Sequence, residues 1–132
     1  MLDNLDHARA WMLKADSDVL TVNRLLDANG PFDTACFHAQ QAVEKYLKAV
    51  LPMVGQAIPL THNLEEIERQ CVANVPGGQP LGVDLAQLTT YAVQARYDFS
   101  FWPDRDTAEE ARNAATTVRA DVVAILPARA QP

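Results

Sequence analysis

The stretch Ala35–Leu51, ACFHAQQAVEKYLKAVL, sorts its residues onto two chemically different sides of one helix. At about 3.6 residues per turn, Cys36, Ala39, Val43, Tyr46, Leu47 and Val50 share an apolar face. His38, Gln41, Lys45 and Lys48 fall beside it within an arc of about 80°. Such a helix packs on one side and presents polar groups on the other. The same alternation of three and four recurs in Leu5, Ala8, Met12, Ala15, Val19, Val22 and Leu26, and again in Ala108, Ala111, Ala115, Val118, Val122 and Ile125. A further helix follows from Leu85, Leu88, Ala92, Ala95 and Phe99, with Tyr91 and Tyr97 flanking the stripe. No apolar alternation of period two is long enough for a sheet, and no internal repeat is visible. The expected fold is all-α: an antiparallel up-and-down four-helix bundle with an additional short helix, one domain over residues 1–132.

The breaks between these segments are marked by residues that stop or start helices. Asn29-Gly30-Pro31 ends the first helix, because Gly tolerates left-handed backbone and Pro31 suits the first turn of the next. So short a turn makes the two helices antiparallel. Pro52 lacks a backbone donor and disfavours helical geometry at Leu51, so the second helix should kink or stop near there, leaving residues 52–59 as a loop. Asn63 and Glu66 have the spacing of a capping box for a short third helix through about Val72. Pro76-Gly77-Gly78-Gln79-Pro80 reads as a surface loop. The last helix is expected to start at Asp106 or Thr107, each with a Glu three residues on, and to end at Pro127. Phe99, Phe101 and Trp102 are expected to plug the connection before it, a dimer interface being the sharper alternative.

At 132 residues the chain can bury roughly two thirds of its unfolded surface in one core. Its longest uncharged stretch, Ala49–Asn63, is interrupted by Pro52, Gly55 and Pro59 and cannot span a membrane. Asp3, Asp6, Arg9 and Lys14 stand where a signal peptide would need a basic start and an apolar run, so a cytoplasmic location is expected. The net charge of −6, with eleven Lys and Arg scattered along the chain, argues against general nucleic-acid coating. Between Thr34 and Leu64 the only acid is Glu44, which makes that segment the least acidic surface. Cys36 and Cys71 lack CxxC spacing and read as buried reduced thiols, with neither a metal nor a cofactor expected. Di-iron chemistry would need Glu-x-x-His pairs, yet Asn4, Ala35 and Pro59 precede the three histidines by three positions. Neither a Walker-type phosphate loop nor GxGxxG is present.

Three features together, the HAQQAVEKYLKA run, the Thr61-His62-Asn63-Leu64 step and the Ala95-Arg96-Tyr97 helix ending, resemble the HEPN family (higher eukaryotes and prokaryotes nucleotide-binding domain) over roughly residues 4–126. Many of the family's ribonucleases pair an Arg with a His four to six residues further on. Here Arg96 is followed at those positions by Phe101, Trp102 and Pro103, and no Arg stands at the matching distance before any histidine. The resemblance therefore implies the branch of small, stand-alone members that accompany a separate nucleotidyltransferase, as in toxin–antitoxin pairs. Many members continue the Ala-Arg-Tyr ending with Pro, where this chain has Asp98.

The residues and the resemblance together imply a non-catalytic nucleotide-binding or partner-binding module. Its candidate ligand-binding residues are His38, Gln41, Lys45, Lys48, His62, Arg96 and Tyr97, with no catalytic residue and no metal ligand assigned. An imidazole, an amide and two ammonium groups can hold a phosphate and a base edge. Lys45 and Lys48 are expected to contribute most to affinity, with Arg96 clamping a phosphate and two copies meeting in a homodimer beside the site. The plain alternative is a structural or oligomerisation domain whose polar stripe is solvated; a second is an RNA-cleaving toxin with a non-standard site. On this reading Val43→Asp should cost several kcal/mol by burying an unpaired charge, while Lys48→Ala should stay within about 0.5 kcal/mol in a denaturant melt.

Overall fold

The computed structural model describes residues 2–132. Its helices are α1 (Asn4–Asp27), α2 (Phe32–Met53), α3 (Leu64–Asn74), α4 (Leu85–Tyr97) and α5 (Arg105–Ile125), followed by a 3-10 turn at Ala128–Ala130. There is no strand among the described residues. The expected all-helical bundle is therefore observed, with α2 at its centre touching each of the other four helices. Ala35, Ala39, Ala42, Val43, Tyr46 and Val50 are almost fully buried, and the small residues among them let neighbouring helices approach closely. Long-range pairs fix the directions. Tyr46 reaches Asp16, Arg119 reaches Asp16 and Arg112 reaches Asn23, so both α2 and α5 run antiparallel to α1.

Each helix start carries a side-chain or geometric explanation. Asp3 and Asp6 form a reciprocal capping box on α1. Asn63 accepts from the Glu66 amide, but the Glu66 carboxylate turns to Arg69 and Gln70, so the box expected on α3 is only half formed. Helix α5 starts earlier than Asp106, because Asp104 accepts from both the amide and the hydroxyl of Thr107. The turn after α1 is left-handed at Asn29 (φ 61°) and Gly30 (φ 117°), and the Gly30 amide closes onto the Leu25 carbonyl at 2.8 Å. Arg105 seals that end by donating to the Leu26 carbonyl at 2.7 Å.

Three expectations are corrected by the packing. Helix α2 stops near Pro52 as expected, but it takes in Pro52 and Met53, residues expected in the loop, with Pro52 buried inside its last turn. Pro52 forfeits one amide bond and the helix ends one residue later, so little helix follows the break. In α1 the buried position between Ala15 and Val22 is taken by Asp18, with Val19 only partly covered. In α4, Tyr91 is core, whereas Phe99 lies beyond the helix end at 90% exposure. The aromatic plug is thus mostly open: Phe101 packs on Tyr91 at 5.6 Å, while Trp102 remains 75% exposed. Both cysteines are buried and reduced as expected, and desolvation pushes each thiol up to about 12.

Candidate functional site

The polar arc of α2 lies along the part of the helix flanked by α1, the segment before α3, and the end of α4. Two carboxylates organise it. Asp18 of α1 sits 2.9 Å from Nδ1 of His38 and accepts from Nζ of Lys45 at 2.7 Å. Glu44 of α2 sits 2.9 Å from Nδ1 of His62, accepts from Nζ of Lys48 at 3.2 Å and from the Gln40 amide at 3.3 Å. Gln41 extends this second cluster by donating to the Gln40 carbonyl oxygen at 2.7 Å. Each cluster is therefore one carboxylate holding one imidazole and one ammonium.

Helical spacing explains the arrangement. His38 and Lys45 are two turns apart and both face α1, where Asp18 is waiting; Gln40, Glu44 and Lys48 follow one another at intervals of four. Asp18 and Glu44 side chains are only 11% and 5% exposed, and Lys48 is 7% exposed beneath the ring of Trp11 at 5.9 Å. An isolated ion at such depth is costly, so each charge is tolerated because it is paired and hydrogen-bonded. Burial alone would raise the Asp18 carboxyl, but the bonds from His38 and Lys45 outweigh it and hold the group below the ordinary carboxylate range.

Arg96 and Tyr97 form a third group at the last turn of α4. The Arg96 guanidinium stands 5.3 Å from the ring centres of Phe37 and Tyr97, and its Nε donates to the Ala92 carbonyl at 2.8 Å. Phe37 meets His38 edge to face at 5.3 Å. Arg96 is thus connected to the Asp18 cluster through one aromatic ring. It has no carboxylate partner among the described residues.

All seven candidate residues from the sequence lie on or beside this face, and the two lysines have partners that were not expected. Lys45 and Lys48 are not free ammonium groups, since Asp18 and Glu44 neutralise them. Lys48 in particular is buried rather than solvated. Sequence reasoning passed over Asp18, Gln40 and Glu44. A signal existed for two of them. Asp18 occupies the three-four position between Ala15 and Val22, and Glu44 is the lone acid among basic and neutral residues in its segment. Because a carboxylate can only accept, Nδ1 of His38 and of His62 carries the proton toward it. That leaves each Nε2 without a protein partner among the described residues, with the His38 side chain 29% and the His62 side chain 67% exposed.

The buried pair and the Asp18 cluster each have a stability signature. Lys48→Ala leaves Glu44 buried with one fewer counter-charge and should cost about 2–3 kcal/mol in urea denaturation, which replaces the figure of about 0.5 kcal/mol expected for a solvated lysine, whereas exposed Lys14→Ala should stay within about 0.5 kcal/mol. Equal effects would contradict the buried pair. Because its folded pKa is lowered, Asp18 contributes stability that is present above the unfolded carboxylate range and is lost as pH falls through the folded value. The stability difference between wild type and Asp18→Asn should therefore be full near neutrality and shrink once pH drops below about 4. A difference constant with pH would show that the Asp18 charge is not what stabilises the cluster.

Comparison with known proteins bears on nearly the whole chain: the family model for the HEPN domain matches residues 8–126. Searches of curated proteins and of solved structures returned no match. The matched region extends from the first turns of α1 to the residue after α5, so it includes every helix that builds the polar face. By sequence and by architecture, this chain belongs to the HEPN domain family.

Proposed function

We propose that this protein is a non-catalytic HEPN module that binds a nucleotide on the α2 face and works as the companion subunit of a nucleotidyltransferase. The observation that carries the reading is Arg96, an exposed cation with no carboxylate partner among the described residues, linked through Phe37 to a carboxylate-anchored imidazole. With Lys45 and Lys48 neutralised in place, Arg96 is the group left to take a phosphate, and its planar fork suits bidentate contact. His38 and Gln41 then supply a ring nitrogen and an amide for a base edge. The ribonuclease pairing of Arg with a following His is missing from the sequence, which supports binding rather than cleavage.

The exposed Tyr97, Phe99 and Trp102 support a homodimer, since pairing would remove them from water beside the same end of α4. Calorimetry with mono- and triphosphate nucleotides tests the proposal. Wild type should bind, Arg96→Ala should lose about tenfold or more in affinity with its melting temperature unchanged, and binding should weaken as salt rises. Absence of binding at about millimolar ligand, a level of only about 4 kcal/mol, would leave the structural and oligomerisation reading in its place. RNA cleavage that survives purification and disappears in Arg96→Ala would favour the toxin reading instead.

A further inference from the structure

A concavity away from the polar face has a different chemistry. It encloses about 360 Å³ between α3, the end of α5 and the loop of residues 76–81. Leu47, Val50, Cys71, Val75, Leu81 and Ile125 supply most of its apolar wall. Its carboxylate-bearing residues are the half-buried Glu68 and, at the mouth, the exposed Asp121, and no Lys, Arg or His lines it. Neither carboxylate has a cationic partner among the described residues.

The wall is built rather than incidental. Gly77 takes a left-handed φ of 71°, and Gly78 lies so close to α3 that an added Cβ would meet the Val72 carbonyl oxygen at 2.9 Å and that of Val75 at 3.0 Å. The Gly78 amide donates to the Val75 carbonyl at 2.9 Å. One Glu68 oxygen accepts from the Leu81 amide at 2.8 Å, which ties the far end of the loop to α3, while its other oxygen has no hydrogen-bond donor among the described residues. The Cys71 thiol is occupied with the Leu47 carbonyl at 3.3 Å and is pushed up to about 12 by burial, so reactive-thiol chemistry does not account for the pocket.

We propose that this pocket binds a small organic ammonium ion with an apolar body. The volume lies at the lower end of the range for small-molecule sites and more than doubles the roughly 150 Å³ that holds a benzene ring. An apolar wall selects the body of the ligand, and two carboxylates without a cationic partner, in a lining that holds no basic residue, select the sign of its charge. An anionic ligand would be repelled by both Glu68 and Asp121.

Two-dimensional amide NMR on the full chain tests this with phenethylammonium chloride, phenethyl alcohol and hydrocinnamate. The ammonium probe should saturate, moving amides of residues 71–81 and 121–125, with the alcohol about tenfold weaker and the carboxylate not binding. The double variant Glu68→Gln, Asp121→Asn should remove the preference for the ammonium. Ala124→Phe, at an exposed lining position, should fill the pocket while leaving the rest of the spectrum in place. Gly78→Ala should displace the loop and abolish binding with the helical signal retained. Equal affinity for all three probes, shifts centred on α2 and Arg96, or no saturation by the ammonium would overturn the proposal. So would concentration-dependent self-association that Ala124→Phe abolishes, since that would make the pocket a contact between copies.

Discussion

A carboxylate removed from water must be compensated where it stands, and in this protein that requirement is met twice on one helix surface. Asp18 and Glu44 are each held by an imidazole and an ammonium group, and each carboxylate in turn fixes where those groups point. Loss of either would leave paired cations without anchors and a helix face without order. Coulomb attraction at this depth is stronger than at the surface, yet the desolvation it offsets is of similar size. The clusters therefore contribute definition of the face more than net stability.

The rest of the fold supplies the conditions for that arrangement. Helix α2 is buried on most of its circumference, with α1, α3, α4 and α5 all packed against it. A central helix has little room for long polar side chains unless they interlock, so the polar arc is forced into a network. Asp16 of α1 adds a further tie, accepting from the Tyr46 hydroxyl at 2.5 Å and from Arg119 at 2.9 Å. It joins α1, α2 and α5 beside the Asp18 cluster. A site built on rigid helices in this way holds its groups more firmly than one carried on loops. His62 is the exception, reaching Glu44 from the segment that precedes α3.

Much of the fold was legible because apolar periodicity is a local signal. The three-four stripes located all the long helices, and Asn63 and the Asn29-Gly30-Pro31 turn marked boundaries to within a residue or two. What could not be read was pairing between distant segments. A lysine at a polar helical position looks identical in sequence whether it meets water or a carboxylate on another helix, and Lys45 proved to be paired with Asp18 of α1. Asp18 was missed for the same reason: its place inside an apolar stripe marks it out in the sequence, but its role follows only from partners twenty and more residues away. Phe99 and Trp102 failed in the opposite direction, since aromatic content predicts burial and the turn after α4 carries them outward.

The central claim is that buried carboxylates, rather than solvent, set the state of the α2 face. Long-range proton–nitrogen NMR of the imidazole rings measures this directly, because it reports which ring nitrogen carries the proton. With the rings neutral, His38 and His62 should each show a single tautomer, protonated at Nδ1 and open at Nε2, with His38 losing that preference in Asp18→Asn and His62 in Glu44→Gln. Rings that average between tautomers in the wild type, as solvated side chains do, would contradict it.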